Sequence, residues 1–469
     1  MPRLPPVTIA PLPFSPSSTV SVSFRSLECA GSEIIANRDP HPRTESAMGI
    51  PNPLDLIPRS VRPFDPEEVT SAEGSQEVEP ETGGLTEEDI DEIWRSVEEI
   101  YRTRLHPAVA LCLMRRGRVV IDRAIGHARG NSPDDPADAD LVPAKPTTLY
   151  NIFSVSKAVT ATVIHMLDEQ GYLHIDDPVA EYIPEFARHG KEKITIRHVL
   201  THRAGIPNIP ARHGGKEGLK ALGDPDLALS ILCEAKPTWR PGRVLAYHAL
   251  TGGFILGEIA RRVTGDDIRT VLRERILGPI GVERMSYGVK PEEIGLVAEN
   301  AFTGFPPLPP YSWLLERSLG ASIRDVGEAS NDPRFLTGLI PSGNVIGTPA
   351  DIARFFQLLL NRGTLDGVRI LSPRTVARAV AEQTYLEFDL TLSVPTRYGM
   401  GFMLGAQYVS LYGPGTPQAF GHLGFSYVLA YADPEREISV CLITTGKPFV
   451  TPEMLRWYRT VWLIASRCL

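Results

Sequence analysis

The first periodic stretch of the chain, residues 85–104, has the hydrophobic pattern of an amphipathic helix. Its apolar residues recur three or four positions apart, a spacing that places them on one helix face. They are Ile90, Ile93, Trp94, Val97, Ile100 and Tyr101. The run Leu85-Thr86-Glu87-Glu88 has the capping-box pattern of a helix start, with acidic residues in the first turn. We expect the folded part of the chain to begin with this helix.

Two β-runs follow the helix. Residues 108–114 and 119–125 are rich in aliphatic residues, and Arg115-Arg116-Gly117-Arg118 lies between them. Two such runs separated by a short glycine-containing turn predict an antiparallel hairpin. A helix followed by a hairpin indicates the start of an α/β layer.

The middle of the chain has mainly helical patterns. We predict a helix from Ser154 to about Gln170, and another over residues 195–202 that ends at Gly205 and Pro207. Further helical patterns cover residues 224–235, 250–263, 266–276 and 348–361. We expect residues 201–334 to form an inserted, mainly helical lobe.

Strand patterns return near the end of the chain, over residues 398–404, 425–432 and 438–444. Thr451-Pro452-Glu453 then supplies an N-cap, a proline at the first helical position and an acidic residue for a closing helix. These patterns predict an α/β (α+β) fold, in which an antiparallel sheet is flanked by N- and C-terminal helices. Residues 85–200 and 335–469 would form this layer, and a cleft beside the helical lobe is a usual place for a ligand.

Residues 1–84 show no sustained hydrophobic period. They are rich in proline, serine and acidic residues, a composition that buries little apolar surface. We expect a disordered tail. An alternative is that translation begins at Met48, with the preceding residues not part of the protein.

Composition narrows the classes of function. The formal net charge of −8 argues against a nucleic-acid partner, and no apolar run is long enough for a membrane span. The cysteines are scattered without C-x-x-C spacing, so neither a disulfide framework nor a zinc site is expected. The prolines near the N-terminus interrupt any secretory signal. We therefore expect a cytoplasmic protein.

Ser154 and Lys157 are the first candidate catalytic residues. They stand three positions apart at the start of a predicted helix, so both side chains can project into the same cleft. A serine hydroxyl needs a neighbouring base before it becomes a good nucleophile, and a lysine acts as one only when its pKa is lowered. An S-x-x-K match by itself is weak, and its meaning depends on the rest of the chain.

Two other patterns match known site motifs but are interpreted as structural features. His198 and His202 have the four-residue spacing of zinc ligands, but no glutamate adjoins His198 and no third ligand is evident, so we expect no metal. Thr445-Gly446-Lys447 follows a predicted strand as a turn and is interpreted as a chance match to a K-T-G motif. The chain has no G-x-S-x-G, which excludes an α/β-hydrolase elbow as the setting of the serine.

Five motifs that follow one another along the chain include Ser154 and help to interpret it. They are Phe153-Ser154-x-x-Lys157, Leu200-Thr201-His202-x-x-Gly205, Pro241-Gly242 followed by Tyr247, Gly343-x-x-x-x-Thr348-x-x-Asp351, and Gly421-His422-Leu423-Gly424-Phe425. Together, over about residues 85–469, they resemble the serine β-lactamase superfamily of the class C, penicillin-binding type. Its relatives include D-alanyl-D-alanine peptidases and family VIII carboxylesterases. The resemblance implies a β-lactamase/transpeptidase-like fold.

The resemblance also implies roles for particular residues. Ser154 would form the acyl-enzyme, and Lys157 would take part in its deprotonation. Tyr247 matches the tyrosine of the Y-x-N motif and is expected to act with Lys157 as base for the serine and acid for the leaving group. His422-Leu423-Gly424 takes the place of the K-T-G strand, and the backbone N–H groups of Ser154 and Phe425 would form the oxyanion hole.

Two departures from the family pattern bear on the substrate. Ala249 stands where Y-x-N has its asparagine, and His422 replaces the lysine of K-T-G, so a substrate carboxylate would meet a weaker or pH-dependent partner. Both changes favour a serine carboxylesterase that acts without a cofactor on a small-molecule ester of short to medium acyl chain length. The alternatives left open are a β-lactamase or D-aminoacyl peptidase, a transacylase, and a scaffold that has lost its chemistry.

Overall fold

A long antiparallel sheet organises the fold of this computed structural model, which describes residues 57–208, 223–307, 322–448 and 453–469, together with Ser312. The strands are β1 (Thr70–Ser71), β2 (Ala108–Arg115), β3 (Arg118–Arg129), β4 (Val142–Pro143), β5 (Tyr150–Asn151), β6 (Ser286–Tyr287), β7 (Val345–Gly347), β8 (Thr364–Leu365), β9 (Val368–Arg369), β10 (Thr384–Asp389), β11 (Val394–Tyr398), β12 (Met403–Leu404), β13 (Phe420–Leu423), β14 (Leu429–Asp433) and β15 (Ile438–Thr444).

The sheet brings the two ends of the chain together. Its order is β1-β3-β2-β15-β14-β13-β12-β11-β10, with β4 paired to β3. At its centre β2, from the start of the domain, pairs antiparallel with β15, from its end, and Cys441 lies opposite Cys112. The strands β5, β7 and β6 form a small separate sheet, and β8 pairs with β9.

Helices cover both faces of the sheet. They are α1 (Pro66–Val69), α2 (Glu87–Tyr101), α3 (Ser156–Glu169), α4 (Val179–Tyr182), α5 (Ile196–Leu200), α6 (Pro225–Glu234), α7 (Thr251–Thr264), α8 (Ile268–Leu272), α9 (Ile323–Ala329), α10 (Pro333–Thr337), α11 (Pro349–Leu360), α12 (Pro373–Ala379) and α13 (Met454–Arg467). A π-helical turn, Arg273–Leu277, extends α8, and 3₁₀ turns span Pro80–Gly83, Phe153–Val155, Pro184–Gly190 and Pro291–Leu296.

Side-chain alternation along β2 separates two hydrophobic cores. Val109, Leu111 and Leu113 pack in the core that contains α2 and α13, because alternate residues of a strand point to opposite faces. Ala110 and Cys112 belong to the larger core with α3 and α11. The predicted fold class, an antiparallel sheet flanked by the N- and C-terminal helices, is therefore confirmed.

The folded unit begins before Leu85, which corrects the predicted boundary of the tail. Thr70 and Ser71 of β1 pair with Ile125 and Ala124 on the edge of the sheet. Val61 is buried, and its N–H donates to the carbonyl of Arg104. Residues 57–84 stay ordered because β3 and other distant segments, among them Arg104 and Gly304, accept their backbone hydrogen bonds. Residues 1–56, including Met48, lie outside the described residues.

Two predicted strands have different limits in the structure. Residues 398–404 form the ends of β11 and β12 with a turn between them, because Gly399 and Gly401 reverse the chain there. Residues 425–428 form a loop between β13 and β14 instead of part of a strand. Ser426 and Tyr427 have positive φ angles, of 47° and 64°, which extended strands do not allow.

The predicted helices are found, with changes at their ends. Thr86 caps α2 through a capping box with Asp89, and Thr348 caps α11 by accepting from the N–H of Asp351. The predicted cap Thr451-Pro452 lies outside the described residues.

From residue 57 onward the chain belongs to one compact unit. None of the helices in the described ranges combines the length and the apolar character that crossing a bilayer requires.

Candidate active site

Ser154 lies in the 3₁₀ turn Phe153–Val155, directly before α3, rather than inside the α-helix that was predicted to start there. Successive turns of a 3₁₀ helix repeat every three residues, so Ser154 and Lys157 still share one face. Phe153 has φ +48°, and its carbonyl accepts a hydrogen bond of 2.5 Å from Ser156 Oγ. A non-glycine residue in this region is strained, and the surrounding hydrogen bonds hold the turn in place.

Three oxygen atoms surround the amine of Lys157. Its Nζ lies 3.0 Å from Ser154 Oγ, 2.7 Å from the carbonyl oxygen of Ala249 and 3.1 Å from that of Ser342. The carbonyl oxygens can only accept hydrogen bonds, so they take two N–H donors of the amine. In neutral Lys157 the lone pair therefore faces Ser154 Oγ. Burial lowers the pKa of Lys157 well below its usual value and favours that neutral form.

Tyr247 completes the group around the serine. It lies in the segment before α7, its side chain hydrogen-bonds with that of Ser154, and Lys157 Nζ is 4.8 Å from the centre of its ring. Burial raises the pKa of Tyr247, which outweighs the lowering caused by its bond to Ser154. The phenol is therefore protonated at neutral pH. The structure thus brings Ser154, Lys157 and Tyr247 together.

A buried carboxylate that the sequence did not suggest holds the backbone of Tyr247. Asp389, at the end of β10, is fully buried, and its Oδ1 accepts from the N–H groups of Tyr247, Thr391 and Leu392 at 3.0, 2.8 and 3.0 Å. Charge-assisted bonds of this kind are stronger than neutral ones. They fix the segment that carries the phenol, although 142 residues separate the partners.

Aromatic rings pack behind Tyr247. The His202 ring lies 4.7 Å from the ring of Tyr247, 5.0 Å from that of Tyr398 and 5.8 Å from that of His248. His198 instead caps α5, where its Nδ1 accepts from the N–H of Thr195. The two histidines of the H-x-x-x-H spacing thus have separate packing and capping roles. Within the described ranges no three His, Cys, Asp or Glu side chains are grouped closely enough to hold a metal ion.

The loop after β13 reaches the turn that carries the serine. Gly424 makes this approach possible, because a Cβ at this position would lie 2.6 Å from the carbonyl oxygen of Ile152. The rings of Phe153 and Phe425 are 5.5 Å apart. In the described part of the chain, neither the N–H of Ser154 nor that of Phe425 donates to a backbone acceptor. Both therefore remain candidates for the oxyanion hole.

His422 on β13 is a neutral group. Its Nδ1 lies 2.7 Å from the carbonyl oxygen of Leu423, so the ring proton is on Nδ1 and Nε2 keeps a lone pair. Burial and the nearby charge of Lys157 lower the pKa of His422 to about 3. The ring centre is 6.1 Å from that of Tyr247. At neutral pH, a hydrogen-bond acceptor therefore takes the place of the family's cationic lysine.

Sequence reasoning missed two partners of the site, Asp389 and Ser342. Ser342 directly precedes Gly343 of the fourth motif, but it acts through its backbone carbonyl, which no side-chain pattern reveals. Ala249 lacks the amide of Y-x-N and also acts through its carbonyl. Asp389 has no recognisable motif around it. Only the tertiary structure identifies these groups.

Proteins of known sequence and structure are similar to this chain. The esterase/beta-lactamase LipL of Mycobacterium tuberculosis is 28% identical over 320 residues, which cover 65% of this chain and 71% of LipL. The structure of a family VIII carboxylesterase superposes with a TM-score of 0.68 at 27% identity, covering 82% of this chain and 99% of that one. A penicillin-binding protein homologue from Caulobacter crescentus gives a TM-score of 0.67 at 28% identity, covering 80% and 97%.

The family assignment follows from the match over the whole domain. The family model described as Beta-lactamase matches residues 95–461, from α2 to α13. The matched region contains Ser154, Lys157 and Tyr247 together with the His422 strand. The resemblance inferred from the five motifs is thereby confirmed, and the chain belongs to the Beta-lactamase family.

Proposed function

We propose that this protein is a serine hydrolase that cleaves carboxylic esters of short to medium acyl chain length through an acyl-enzyme intermediate. The observation that carries the proposal is the geometry around Lys157 Nζ, where two carbonyl oxygens take two donors and Ser154 Oγ lies at 3.0 Å. This arrangement presents a lone pair to the hydroxyl proton. The similarity to LipL and to a family VIII carboxylesterase supports the ester as substrate.

In the proposed reaction, Ser154 Oγ attacks the carbonyl carbon of the ester while its proton passes to Lys157 Nζ. The oxygen that becomes negative accepts from the N–H groups of Ser154 and Phe425. The C–O bond to the alcohol then breaks, and the proton reaches the departing oxygen from Lys157 through the Tyr247 hydroxyl. Water repeats these steps on the acyl-enzyme and releases the acid.

The roles of Lys157 and Tyr247 differ in this proposal from those expected from the sequence. Tyr247 was expected to be the base for the serine. Burial, however, lowers the pKa of Lys157 and raises that of Tyr247. We therefore assign the base to Lys157 and a proton-donating role to Tyr247.

Neutral His422 supports an ester over a substrate that carries a carboxylate. At this strand a substrate carboxylate would find a neutral imidazole and no cation to balance its charge. A neutral ester needs no such cation. The cytoplasm remains the proposed location, because the cysteines Cys112, Cys233, Cys441 and Cys468 are free. A division into an α/β lobe and a helical lobe at residues 201–334 likewise remains a proposal.

An amidase is the second candidate. A putative D-alanyl-D-alanine carboxypeptidase of Escherichia coli is 24% identical over 399 residues, 79% of this chain and 85% of that one. The acylation step is common to esters and amides, so the serine group alone does not discriminate. The same experiment tests both candidates.

A paired assay with p-nitrophenyl butyrate and a chromogenic cephalosporin tests the function. We expect the wild type to hydrolyse the butyrate with the larger kcat/KM, and Ser154→Ala to lose at least about 1,000-fold of this activity. Ser156→Ala, two residues away, is the control for disturbing the turn without removing the nucleophile. Ester turnover that survives Ser154→Ala would refute the proposal, and faster cephalosporin hydrolysis would favour the amidase.

A further inference from the structure

A second buried lysine, Lys447, lies close to the candidate oxyanion hole. It follows β15 in the Thr445-Gly446-Lys447 turn and is fully buried. Its Nζ donates a hydrogen bond of 2.6 Å to the carbonyl oxygen of Thr444. Its backbone N–H donates to the carbonyl of Ala301 at 2.7 Å, which fixes the turn. The proposed reaction makes no use of this residue.

The amine of Lys447 lies between the two segments that carry the oxyanion donors. Its Nζ is 4.7 Å from the centre of the Phe153 ring, and Phe153 directly precedes Ser154. The same atom is 3.5 Å from the carbonyl oxygen of Phe425, at the outer limit of a hydrogen bond. The Lys447 side chain therefore contacts both segments that carry the donors of the candidate oxyanion hole.

The loop that carries Phe425 has further bonds to the Lys447 segment. Ser426 Oγ donates to the carbonyl of Pro448 at 3.1 Å, and Thr444 Oγ1 donates to the carbonyl of Ser426 at 3.1 Å. Ser426 and the next residue have positive φ angles, so this loop has a strained backbone that needs such support. Lys447 lies at the centre of these contacts.

Burying the amine of Lys447 costs free energy of desolvation, which a purely structural role would not require. Burial lowers its pKa well below the usual value, and among the described residues no carboxylate forms an ion pair with it. An apolar side chain of similar length would fill the space without desolvating an amine. The position of the amine beside the hole gives a reason for this cost.

We propose that Lys447 is a positioning residue, which holds the Phe153 turn and the Phe425 loop at the separation that lets both N–H groups reach one oxyanion. This inference rests on the proposed acyl-enzyme function. Lys447 does not touch the substrate in this role. It acts through the two backbone segments that do.

The chain offers a matched control in Lys191. This lysine is also fully buried, donates to the carbonyls of Cys233 and Ala235 at 2.8 and 2.5 Å, and lies 5.2 Å from the centre of the Phe186 ring. It has the same kinds of contact as Lys447, but not at the serine. Lys447→Met and Lys191→Met therefore remove similar interactions at different places.

The experiment measures kcat, KM and the affinity for an alkyl boronic acid, which mimics the tetrahedral state on the serine. Active sites are counted with a fluorophosphonate. We expect Lys447→Met to lower kcat and boronate affinity by roughly 10- to 100-fold with KM little changed, because the donors are misplaced. Lys191→Met should lower the thermal midpoint but leave both constants near the wild-type values.

Each outcome separates the inference from the function on which it rests. Unchanged kcat and boronate affinity in Lys447→Met overturn the positioning role while the esterase remains. A wild type that neither hydrolyses esters nor binds the boronate overturns the proposed function, and the positioning role with it. If Lys447→Met does not fold, Lys447→Gln is compared with Lys191→Gln. The amide keeps N–H donors but on a shorter side chain with no amine, and a selective loss of kcat is again expected.

Discussion

At the residue scale, burial acts in opposite directions on two neighbouring side chains of the site. It lowers the pKa of Lys157 and raises that of Tyr247, because in each case the low-dielectric surroundings disfavour the charged form. The result is a neutral amine beside a protonated phenol. In the proposed reaction, Ser154 is therefore in contact with a base and with a proton donor at the same pH.

The pH dependence of the reaction follows from the lowered pKa of Lys157. Because the amine must be neutral to accept the serine proton, kcat/KM should rise with pH and level off well below pH 10.5, the usual pKa of lysine. Lys157→Arg retains the charge at every accessible pH and should lose about 100- to 10,000-fold in kcat. The measurement is the pH profile for a p-nitrophenyl ester, corrected for spontaneous hydrolysis.

The exposed Lys193 supplies the control for this substitution. Lys193→Arg makes the same change at the surface, and its profile should match that of the wild type. An active Lys157→Arg enzyme, or a profile that still rises at pH 10.5, would contradict the role of Lys157 as base.

At the element scale, the site depends on how closely β13 approaches the turn before α3. Gly424 ends the strand at a point where its missing Cβ leaves room for the carbonyl of Ile152. The strand and the turn are more than 250 residues apart in the chain. The geometry of the proposed oxyanion hole thus depends on how the two elements pack and not on either motif alone.

Gly424→Ala should move the Phe425 loop away from the serine. The added Cβ would lie 2.6 Å from the Ile152 carbonyl oxygen, a backbone atom that cannot move aside cheaply. Because a donor of the oxyanion hole is displaced, we expect kcat to fall by about 100-fold, a loss measured by ester kinetics.

Gly327→Ala in α9 is the matched control, since a Cβ there meets no atom within 4 Å. It should leave kcat unchanged and add slight stability, because alanine favours the helix. A Gly424→Ala enzyme with wild-type kcat would show that Phe425 N–H is not needed for catalysis.

At the scale of the whole molecule, five buried histidines link stability to pH. Burial lowers the pKa of each, as the largest cause in every case. The values are about 3 for His106, about 4 for His165, well below 6.5 for His202, about 4 for His248 and about 3 for His422. The folded protein therefore keeps these rings neutral at pH values where the unfolded chain protonates them.

The free energy of unfolding is expected to decrease as pH falls from 6.5 towards 4. In this window the unfolded state binds more protons than the folded state, so stability rises with pH. Three carboxyl groups oppose this trend, because burial raises their pKa, to about 6 for Asp122 and above the usual value for Asp351 and Asp433. They are fewer than the five histidines, so we expect the decrease to prevail. Urea denaturation at a series of pH values between 4.5 and 7.5 measures the slope.

His165→Gln, away from the serine, should reduce this slope, whereas His174→Gln at the exposed surface should leave it unchanged. Stability that stays constant or rises as the pH falls to 5 would contradict the role of the buried histidines.

The long elements of the fold could be predicted because their signals are local. The stripe from Ile90 to Ile100 and the aliphatic run around Val109 lie within single segments, and each predicted the right element. Residues 57–84 were misjudged because they have no period of their own. Their order comes from β3 and other segments that are distant in sequence.

The sequence by itself determined the order and chemistry of the motif residues and the family resemblance, on which the prediction of a neutral ester rests. Tertiary structure alone decided the contacts that surround Ser154 and its neighbours. The carbonyls of Ala249 and Ser342 reach Lys157 across 92 and 185 residues, and Asp389 and Lys447 act on backbone segments. Backbone groups are the same in every residue, so a sequence names the side chains of a site but not the carbonyls and N–H groups that folding brings to them.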